Sequence, residues 1–146
     1  MGRMVIAPLN SLTVSSDSTQ DLWSLMAVGT NKLILHGWEI TSDSIAAVMM
    51  EVTLHRISAT NTGAAVTEVK LDEDDGAITG VVLSVGTTIS TSTAILAAYA
   101  WEQLGPLGMV YTPEMRPVIE LSQGIALICN TADAFEMSGW ICWEEI

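Results

Sequence analysis

The stretch Ala46-Ala-Val-Met-Met-Glu-Val-Thr-Leu-His-Arg-Ile57 alternates between apolar and polar side chains. The even positions from 48 to 54 are apolar, whereas positions 51, 53 and 55 carry glutamate, threonine and histidine. Successive side chains of a β-strand point to opposite faces of the sheet. The period of two therefore predicts a strand with one buried face and one exposed face.

Further segments of the chain also read as strands separated by turn residues. Lys32 to Thr41 is apolar at both parities, which is typical of a strand covered on each side, in the centre of a sheet or at an interface. Ala94 to Leu104 could form three helical turns, but its alternation of large and small side chains favours a strand. The other predicted strands are Arg3–Leu9, Gln20–Ala27, Ala65–Val69, Val81–Val85, Val118–Leu121, Gly124–Cys129 and Phe135–Glu144.

Three segments are predicted to be irregular or at a sheet edge. Gly105, Pro106 and Gly108 predict a loop, because a helix or a central strand would not tolerate them. The segment from 113 to 117, bounded by prolines, is expected to be extended rather than helical. The threonine-rich and serine-rich stretch from 87 to 93 predicts a polar strand edge or a flexible loop.

Many short strands without alternating helices predict an all-β fold, an antiparallel β-sandwich. With 146 residues, the chain is expected to form a single domain over 1–146. A jelly roll is the favoured form. An immunoglobulin-like sandwich is the alternative, but the order Cys…Trp…Cys is missing, because Cys129 and Cys142 both lie near the C-terminus. Both cysteines are predicted to be buried thiols.

Composition excludes several classes of partner. Apolar residues make up 49% of the chain and the net charge is −12, so we expect an ordered domain whose surface repels phosphates and anionic lipids. No nucleic acid and no membrane are therefore expected as partners. The longest apolar run has eight residues, far below the roughly 20 of a membrane-spanning helix. The N-terminus lacks the apolar core of a secretion signal, so we expect synthesis in a cytoplasm.

The sequence contains no recognisable catalytic motif. Only His36 and His55 could act as bases near neutral pH. Glu51 lies about 13 Å from His55 along an extended strand, and Glu39 would point to the face opposite His36. Both histidines are therefore expected to be surface or interface residues. We expect no enzymatic activity, no catalytic residues and no cofactor.

The acidic run Asp72-Glu-Asp-Asp75, followed by Gly76, is the only pattern that resembles a metal site. Carboxylates at Asp72, Asp74 and Asp75 are ligands of the type calcium prefers. The EF-hand register fails, because Leu71 would occupy the first position, which requires an aspartate. A solvated charged turn is favoured, and a calcium site shared between loops or subunits is the weaker alternative.

The chain contains five tryptophans and eight methionines, more than we expect one sandwich core to hold. Aromatic residues and methionine are enriched at protein interfaces. Trp140 and Trp143 have opposite parity, so one is expected in the core and the other facing outward. The interface candidates are Trp38, Trp101, Trp140 and Trp143, and they predict a homo-oligomer, with a trimer favoured. The alternative is that all the tryptophans and methionines lie in the core.

The layout of the chain resembles that of small structural proteins encoded among the head genes of tailed bacteriophages and prophages. The stretches that carry the resemblance are Arg3-Met-Val-Ile-Ala-Pro-Leu-Asn10, Gln20-Asp-Leu-Trp23, Glu51-Val-Thr-Leu-His-Arg56, Tyr111-Thr-Pro-Glu-Met-Arg-Pro117, Met137-Ser-Gly139 and Trp143-Glu-Glu145. The resemblance implies a virion protein on the capsid surface, a decoration or cement protein that binds the major capsid protein. It implies no site residue.

Two other functions stay open at this point. An exposed tryptophan such as Trp38 or Trp101 could stack on a sugar, as in a carbohydrate-binding or receptor-binding module of a tail or head fibre. A cupin-like enzyme is the third possibility. Two histidines are fewer than a histidine-rich metal centre usually employs, which argues against it.

Overall fold

A computed structural model describes residues 2–16, 18–59, 61–85, 89–131 and 133–146. In these ranges the chain forms strands, one 3₁₀ turn at Pro113–Met115 and no α-helix. Residues 87 and 88, part of the threonine-rich stretch discussed above, lie outside the described residues. The strands are β1 (Arg3–Val14), β2 (Ser18–Ala27), β3 (Leu33–Ser42), β4 (Met49–Ala59), β5 (Val69–Lys70), β6 (Gly80–Leu83), β7 (Thr91–Glu102), β8 (Leu107–Val110), β9 (Val118–Ile119), β10 (Gly124–Thr131) and β11 (Phe135–Glu145).

These strands form two antiparallel sheets. The first has the order β5-β1-β11-β3-β8, with β9 also paired to β3, and the second has the order β6-β2-β10-β4-β7. The prediction of an all-β antiparallel sandwich is confirmed. An immunoglobulin fold keeps its first two strands in one sheet, whereas β1 and β2 lie in different sheets here.

The core lies between the two sheets and is rich in aromatic side chains. Trp23 and Trp38 have ring centroids 5.9 Å apart, and Trp101 meets Phe135 edge-on at 5.8 Å. Around them, aliphatic residues from both inner faces, such as Leu25 and Val52, are completely buried. Burying a large apolar side chain contributes about 1.5–3 kcal/mol, so this layer is the main stabilising contribution of the fold.

Strand β3 is central in its sheet, as predicted, but it is not covered on both faces. Its pairing with β11 contains a β-bulge at His36: Cys142 pairs with Gly37 and Trp143 pairs with Leu35, so His36 is an extra residue. An extra residue of this kind reverses the parity of the side chains that follow it. Leu35 before the bulge and Trp38 after it therefore both reach the core.

Strand β2 is buried on both faces, with all residues from Gln20 to Ala27 buried. Its pairing with β10 also skips a residue, Leu22, so that Asp21 and Trp23 face opposite sides. On the outer side, Met26 belongs to a second small cluster with Ile57 and Ile128. Asn61 and Ser90, which lie in two different loops, donate hydrogen bonds to the buried Asp21 on this strand.

Some sequence predictions need correction. Leu107–Val110, which follows the predicted loop residues Gly105 and Pro106 and includes Gly108, forms edge strand β8. A glycine is tolerated there because the strand lies at an edge. The segment from 113 to 117 contains a 3₁₀ turn, not only extended chain. Both thiols are free; Cys129 is buried as predicted, but Cys142 is only half-buried.

The two lateral edges of the sandwich are formed by different strands. At one edge, Val66 N donates to Val82 O at 2.9 Å, which joins the segment before β5 to β6. At the other edge lie β7 of the second sheet and β8 of the first sheet. We call these the β5–β6 edge and the β7–β8 edge.

Candidate functional site

The β7–β8 edge opens into a groove of about 660 Å³. One wall is formed by β7 with Leu54 and Arg56 of β4, and the other by β8 with the segment that follows it. Exposed apolar side chains dominate its rim, with Val110 74% and Met115 70% exposed. Contiguous exposed apolar surface of this kind marks an interaction site more often than chance. We call this feature the lateral groove; its principal lining residues are Arg56, Leu96, Tyr99, Val110, Met115 and Arg116.

The floor of the lateral groove is tied to the core by aromatic side chains. Trp38 Nε1 donates to the Tyr111 hydroxyl at 3.3 Å, and the ring of Trp38 meets Tyr99 edge-on at 5.7 Å. Burial raises the pKa of Tyr111 to about 12, against a smaller opposing effect of the Trp38 hydrogen bond. Both phenols are therefore neutral at physiological pH, so the floor is polar without being charged.

Two of the five basic residues of the chain lie on the lateral groove, Arg56 and Arg116. Arg56 Nη1 donates to Val118 O at 2.9 Å, while Arg116 Nε is buried with no hydrogen-bond partner among the described residues. In the described part of the chain, neither guanidinium has a carboxylate within ion-pair distance. Glu114 is the acidic residue on the rim. The groove therefore combines apolar surface with unpaired positive charge, in a chain of net charge −12.

Strand β7 leaves one side of its backbone open. Among the described strands it pairs only with β4, and it carries no charged side chain from Thr91 to Trp101. Long edge strands without charges or prolines are prone to contact other chains. This strand therefore extends the accessible surface beside the lateral groove.

The tryptophans occupy the core rather than an interface. Trp38, Trp101 and Trp143 are at most 2% exposed, so the prediction that places these three at an interface is wrong. Trp38 faces the core because the extra residue at His36 in β3 reverses the parity of the side chains that follow it. Trp140 is half-exposed and stays a candidate. The predicted division between Trp140 and Trp143 is confirmed.

The acidic run forms a turn directly after β5. Asp72, Glu73 and Asp74 are exposed, as expected for a charged turn. Lys70 Nζ donates to the carbonyl oxygens of Glu73 at 3.2 Å and Asp75 at 2.7 Å, so an ammonium group already lies where a cation would use these oxygens. Among the described residues, no group of three or more potential ligands, including Asp72, Asp74 and Asp75, is arranged to hold a metal ion.

The two histidines lie on different sheets. His36 Nε2 is 3.2 Å from Glu144 Oε2 across the β3–β11 pair. His55 contacts two hydroxyls, Ser92 Oγ at 2.7 Å through Nδ1 and Thr53 Oγ1 at 2.6 Å through Nε2. A serine nucleophile is normally activated by a histidine that a carboxylate orients. His55 has a threonine hydroxyl in that position, so this pair lacks the third member of a triad.

Asp21 is a buried carboxylate that no sequence pattern singles out, and it is 0% exposed on the outer face of β2. It accepts from Asn61 Nδ2 at 2.9 Å and from Ser90 N at 3.1 Å, and also from Ser90 Oγ. Desolvation raises the pKa of Asp21, while the hydrogen bonds from Ser90 and Asn61 oppose that shift. The site holds two loops against the sheet.

No known protein-family model matches the chain, and no curated protein shows significant similarity to it. The described residues contain no helix long and apolar enough to cross a membrane.

Sequence reasoning missed the lateral groove. Its lining residues come from β4, β7 and the segment from 109 to 118, and their juxtaposition depends on which strands end each sheet. One signal was available. The uncharged run from Ala94 to Trp101 and the apolar pair Met109 and Val110 both adjoin turn residues, which disfavour a central strand.

Proposed function

We propose that this protein is a non-enzymatic structural component of a phage particle, a capsid decoration or cement protein that forms a homo-oligomer and binds the major capsid protein. The observation that carries its protein-binding character is the lateral groove, whose exposed apolar rim is typical of a protein contact. The phage assignment itself rests on the sequence resemblance.

The order of the strands supports the finer assignment of a jelly roll. The first sheet contains β1-β11-β3-β8 and the second contains β2-β10-β4-β7. Successive strands thus pass from one sheet to the other at most steps, as two interlocked Greek keys require. Such a sandwich leaves its lateral edges free for neighbouring copies, which supports a side-by-side oligomer, with a trimer as the favoured state.

The protein would stabilise the capsid through its binding equilibrium with the assembled lattice. A protein that binds only the assembled lattice stabilises that lattice by its binding free energy. With net charge −12, we expect most carboxylates to face solvent in the bound state, since burying unpaired carboxylates is costly.

The alternative of a carbohydrate-binding or receptor-binding module loses the side chains that suggested it. Trp38 and Trp101 are buried and present no face on which a sugar could stack. We therefore do not favour that function. The arrangement around His55 likewise gives no specific support to an enzyme.

Purified particles of the phage or prophage that encodes the chain provide the test. We expect the protein at a fixed stoichiometry to the major capsid protein, and particles from a deletion strain to disassemble at a lower temperature. Adding the purified protein back should restore the original temperature. An unrelated acidic protein of similar size and charge serves as the control, because it changes ionic conditions equally. Absence of the chain from purified particles would overturn the proposal.

A further inference from the structure

The β5–β6 edge presents an exposed segment whose chemistry is the reverse of that of the lateral groove. Val69 and Leu71 are 48% and 60% exposed, and three exposed acidic residues, 72 to 74, follow them directly. Leu71 N donates to Met4 O at 3.0 Å, which fixes the backbone at the start of the turn. The ammonium of Lys70 is engaged by carbonyl oxygens of the same turn, so negative charge dominates. We call residues 69–75 the acidic loop.

The lateral groove is complementary to the acidic loop in apolar surface and in charge. Its apolar rim can cover side chains such as Leu71. Arg56 and Arg116 line it without an ion-pair partner among the described residues, so they can face carboxylates. Arginine pairs with carboxylates through two parallel hydrogen bonds, which gives both direction and strength. The loop thus matches the groove in both apolar and charged character.

The two features lie on opposite lateral edges of one sandwich. Strand β5 ends the first sheet on the side away from β8, and β6 ends the second sheet on the side away from β7. A copy cannot place its own acidic loop in its own groove, because the whole width of both sheets separates them. A contact between these unlike surfaces is heterologous, and it closes into a ring when the rotation between copies permits.

We propose that the acidic loop of one copy binds in the lateral groove of the next, so that the protein assembles head to tail through sandwiches lying side by side. Leu71 packs against the apolar rim, and Asp72 to Asp74 face the guanidiniums of Arg56 and Arg116. The inference deepens the proposed homo-oligomer by naming its contact surfaces. It depends on self-association and not on capsid binding.

The charge distribution favours this occupant. Two chains of net charge −12 repel each other over most of their surfaces. The groove carries two of the chain's five basic residues, and these two are free of ion pairs within the described ranges. Repulsion elsewhere therefore selects a contact in which the acidic loop meets these two residues.

Light scattering coupled to size-exclusion chromatography, at micromolar concentration, tests the contact. The wild-type chain should be oligomeric. Arg116→Glu in the groove and the double variant Asp72→Lys, Asp74→Lys in the loop should each raise the dissociation constant by at least about tenfold. Lys32→Glu is the matched control, because it reverses one basic charge at the exposed Lys32–Glu120 pair, which belongs neither to the groove lining nor to the acidic loop. Circular dichroism checks that every variant is folded.

A mixing experiment distinguishes head-to-tail assembly from a symmetric contact. For this experiment the loop variant is Asp72→Asn, Asp74→Asn, so that its loop carries no new positive charge to pair with the carboxylate that Arg116→Glu introduces. The groove variant keeps an intact loop, and the loop variant keeps an intact groove. Mixed in equal amounts, the two should form a 1:1 heterodimer and no larger species, since only one functional contact exists per pair. Failure to form any heterodimer, with both variants folded, would overturn the proposal.

A second pair of variants tests the apolar part of the contact. Met115→Asp places a charge on the groove rim, whereas Ile45→Asp places the same charge at a side chain that is 98% exposed elsewhere. Only Met115→Asp should weaken assembly. A wild-type monomer at 100 μM, or an oligomer insensitive to all groove and loop variants, would overturn the inference. Neither result bears on whether the chain is present in phage particles, and the particle test does not bear on this contact.

Discussion

The guanidinium of Arg3 lies 3.0 Å from the carboxylate of Glu145, and this pair joins the first strand to the last. The Glu145 side chain is completely buried. It also accepts from Thr79 N at 2.9 Å and from Gly80 N at 2.7 Å, and Trp143 Nε1 donates to it at 3.3 Å. One carboxylate therefore satisfies the backbone at the start of β6 and holds both ends of the chain beside it.

Replacing Glu145 by alanine should destabilise the fold strongly. The change leaves the buried backbone donors of Thr79 and Gly80 without an acceptor, at about 1–3 kcal/mol for each unsatisfied group. We expect the free energy of unfolding to fall by roughly 3 kcal/mol or more. Urea denaturation measures it. Glu144→Ala is the neighbouring control: Glu144 pairs with His36 at the half-exposed surface, so about 1 kcal/mol or less is expected. Equal losses in the two variants would contradict this account.

Asp21 should make stability depend on pH. Burial raises the pKa of Asp21, so the folded protein binds a proton more tightly than the unfolded chain, whose aspartate pKa is about 3.9. The contribution of this group to stability is therefore fully present below the unfolded pKa and is lost as the pH rises through the folded pKa.

The variant Asp21→Asn isolates this titration. Unfolding free energies of the wild type and of the variant, measured by urea denaturation between pH 3.5 and 7, contain the same contributions from the other carboxylates. Their difference should move in favour of the variant as the pH rises. Burial lowers the pKa of His55 and the charge of Asp21 opposes that shift. Asp21→Asn therefore lowers the pKa of His55 further, which moves the difference in the same direction. A difference that is constant across this range would show that Asp21 does not titrate as described.

Gly139 should not tolerate a side chain. Its φ of +152° lies in the region that favours glycine, and a Cβ there would collide with the backbone carbonyl of Glu39 on the neighbouring strand. Gly139→Ala should cost at least about 1–3 kcal/mol of stability. Gly105→Ala is the control, because nothing lies within 4 Å of a Cβ built there, and it should be close to neutral. Thermal unfolding of the two variants is the measurement, and similar midpoints would contradict the strained geometry.

The tryptophan fluorescence of the folded protein should be that of buried indoles. Four of the five tryptophans are at most 2% exposed, so the emission should be blue-shifted and acrylamide should quench mainly Trp140. Trp38→Ala should lose about 3–5 kcal/mol of stability, as is typical of aromatic truncation in a core. Trp140→Ala, at a half-exposed position, should lose clearly less. Efficient quenching of most of the emission in the monomer would contradict the packing.

The sequence was sufficient for the class of fold. The period of two around Met50 to Leu54 reflects a property of each strand, in which alternate side chains face the core, and this property can be read locally. Turn residues between strands are equally local, because glycine and proline restrict the backbone at their own positions. The strand formed by Ala94 to Glu102 could be predicted for the same reason.

The inward direction of the tryptophans could not be read in the same way. The β-bulge at His36 in β3 is defined by the register between β3 and β11, and the sequence of β3 alone does not contain that register. Parity counted along the sequence therefore assigned apolar side chains to both faces, although Leu35 and Trp38 share the core. The tryptophans in excess of the expected core were therefore assigned to an interface, whereas the core of the structure contains Trp38, Trp101 and Trp143.

By itself, the sequence determined that the chain forms antiparallel strands, that its surface is acidic and that residues 72–74 lie in an exposed turn, because each follows from neighbouring residues or from composition. Only the tertiary structure decided which strands end each sheet. That choice opens the lateral groove between β7 and β8, brings Arg56 and Arg116 to it and places the acidic loop on the opposite edge. The physical reason is that sheet order depends on pairing between strands far apart in the chain, which no local pattern of side chains encodes.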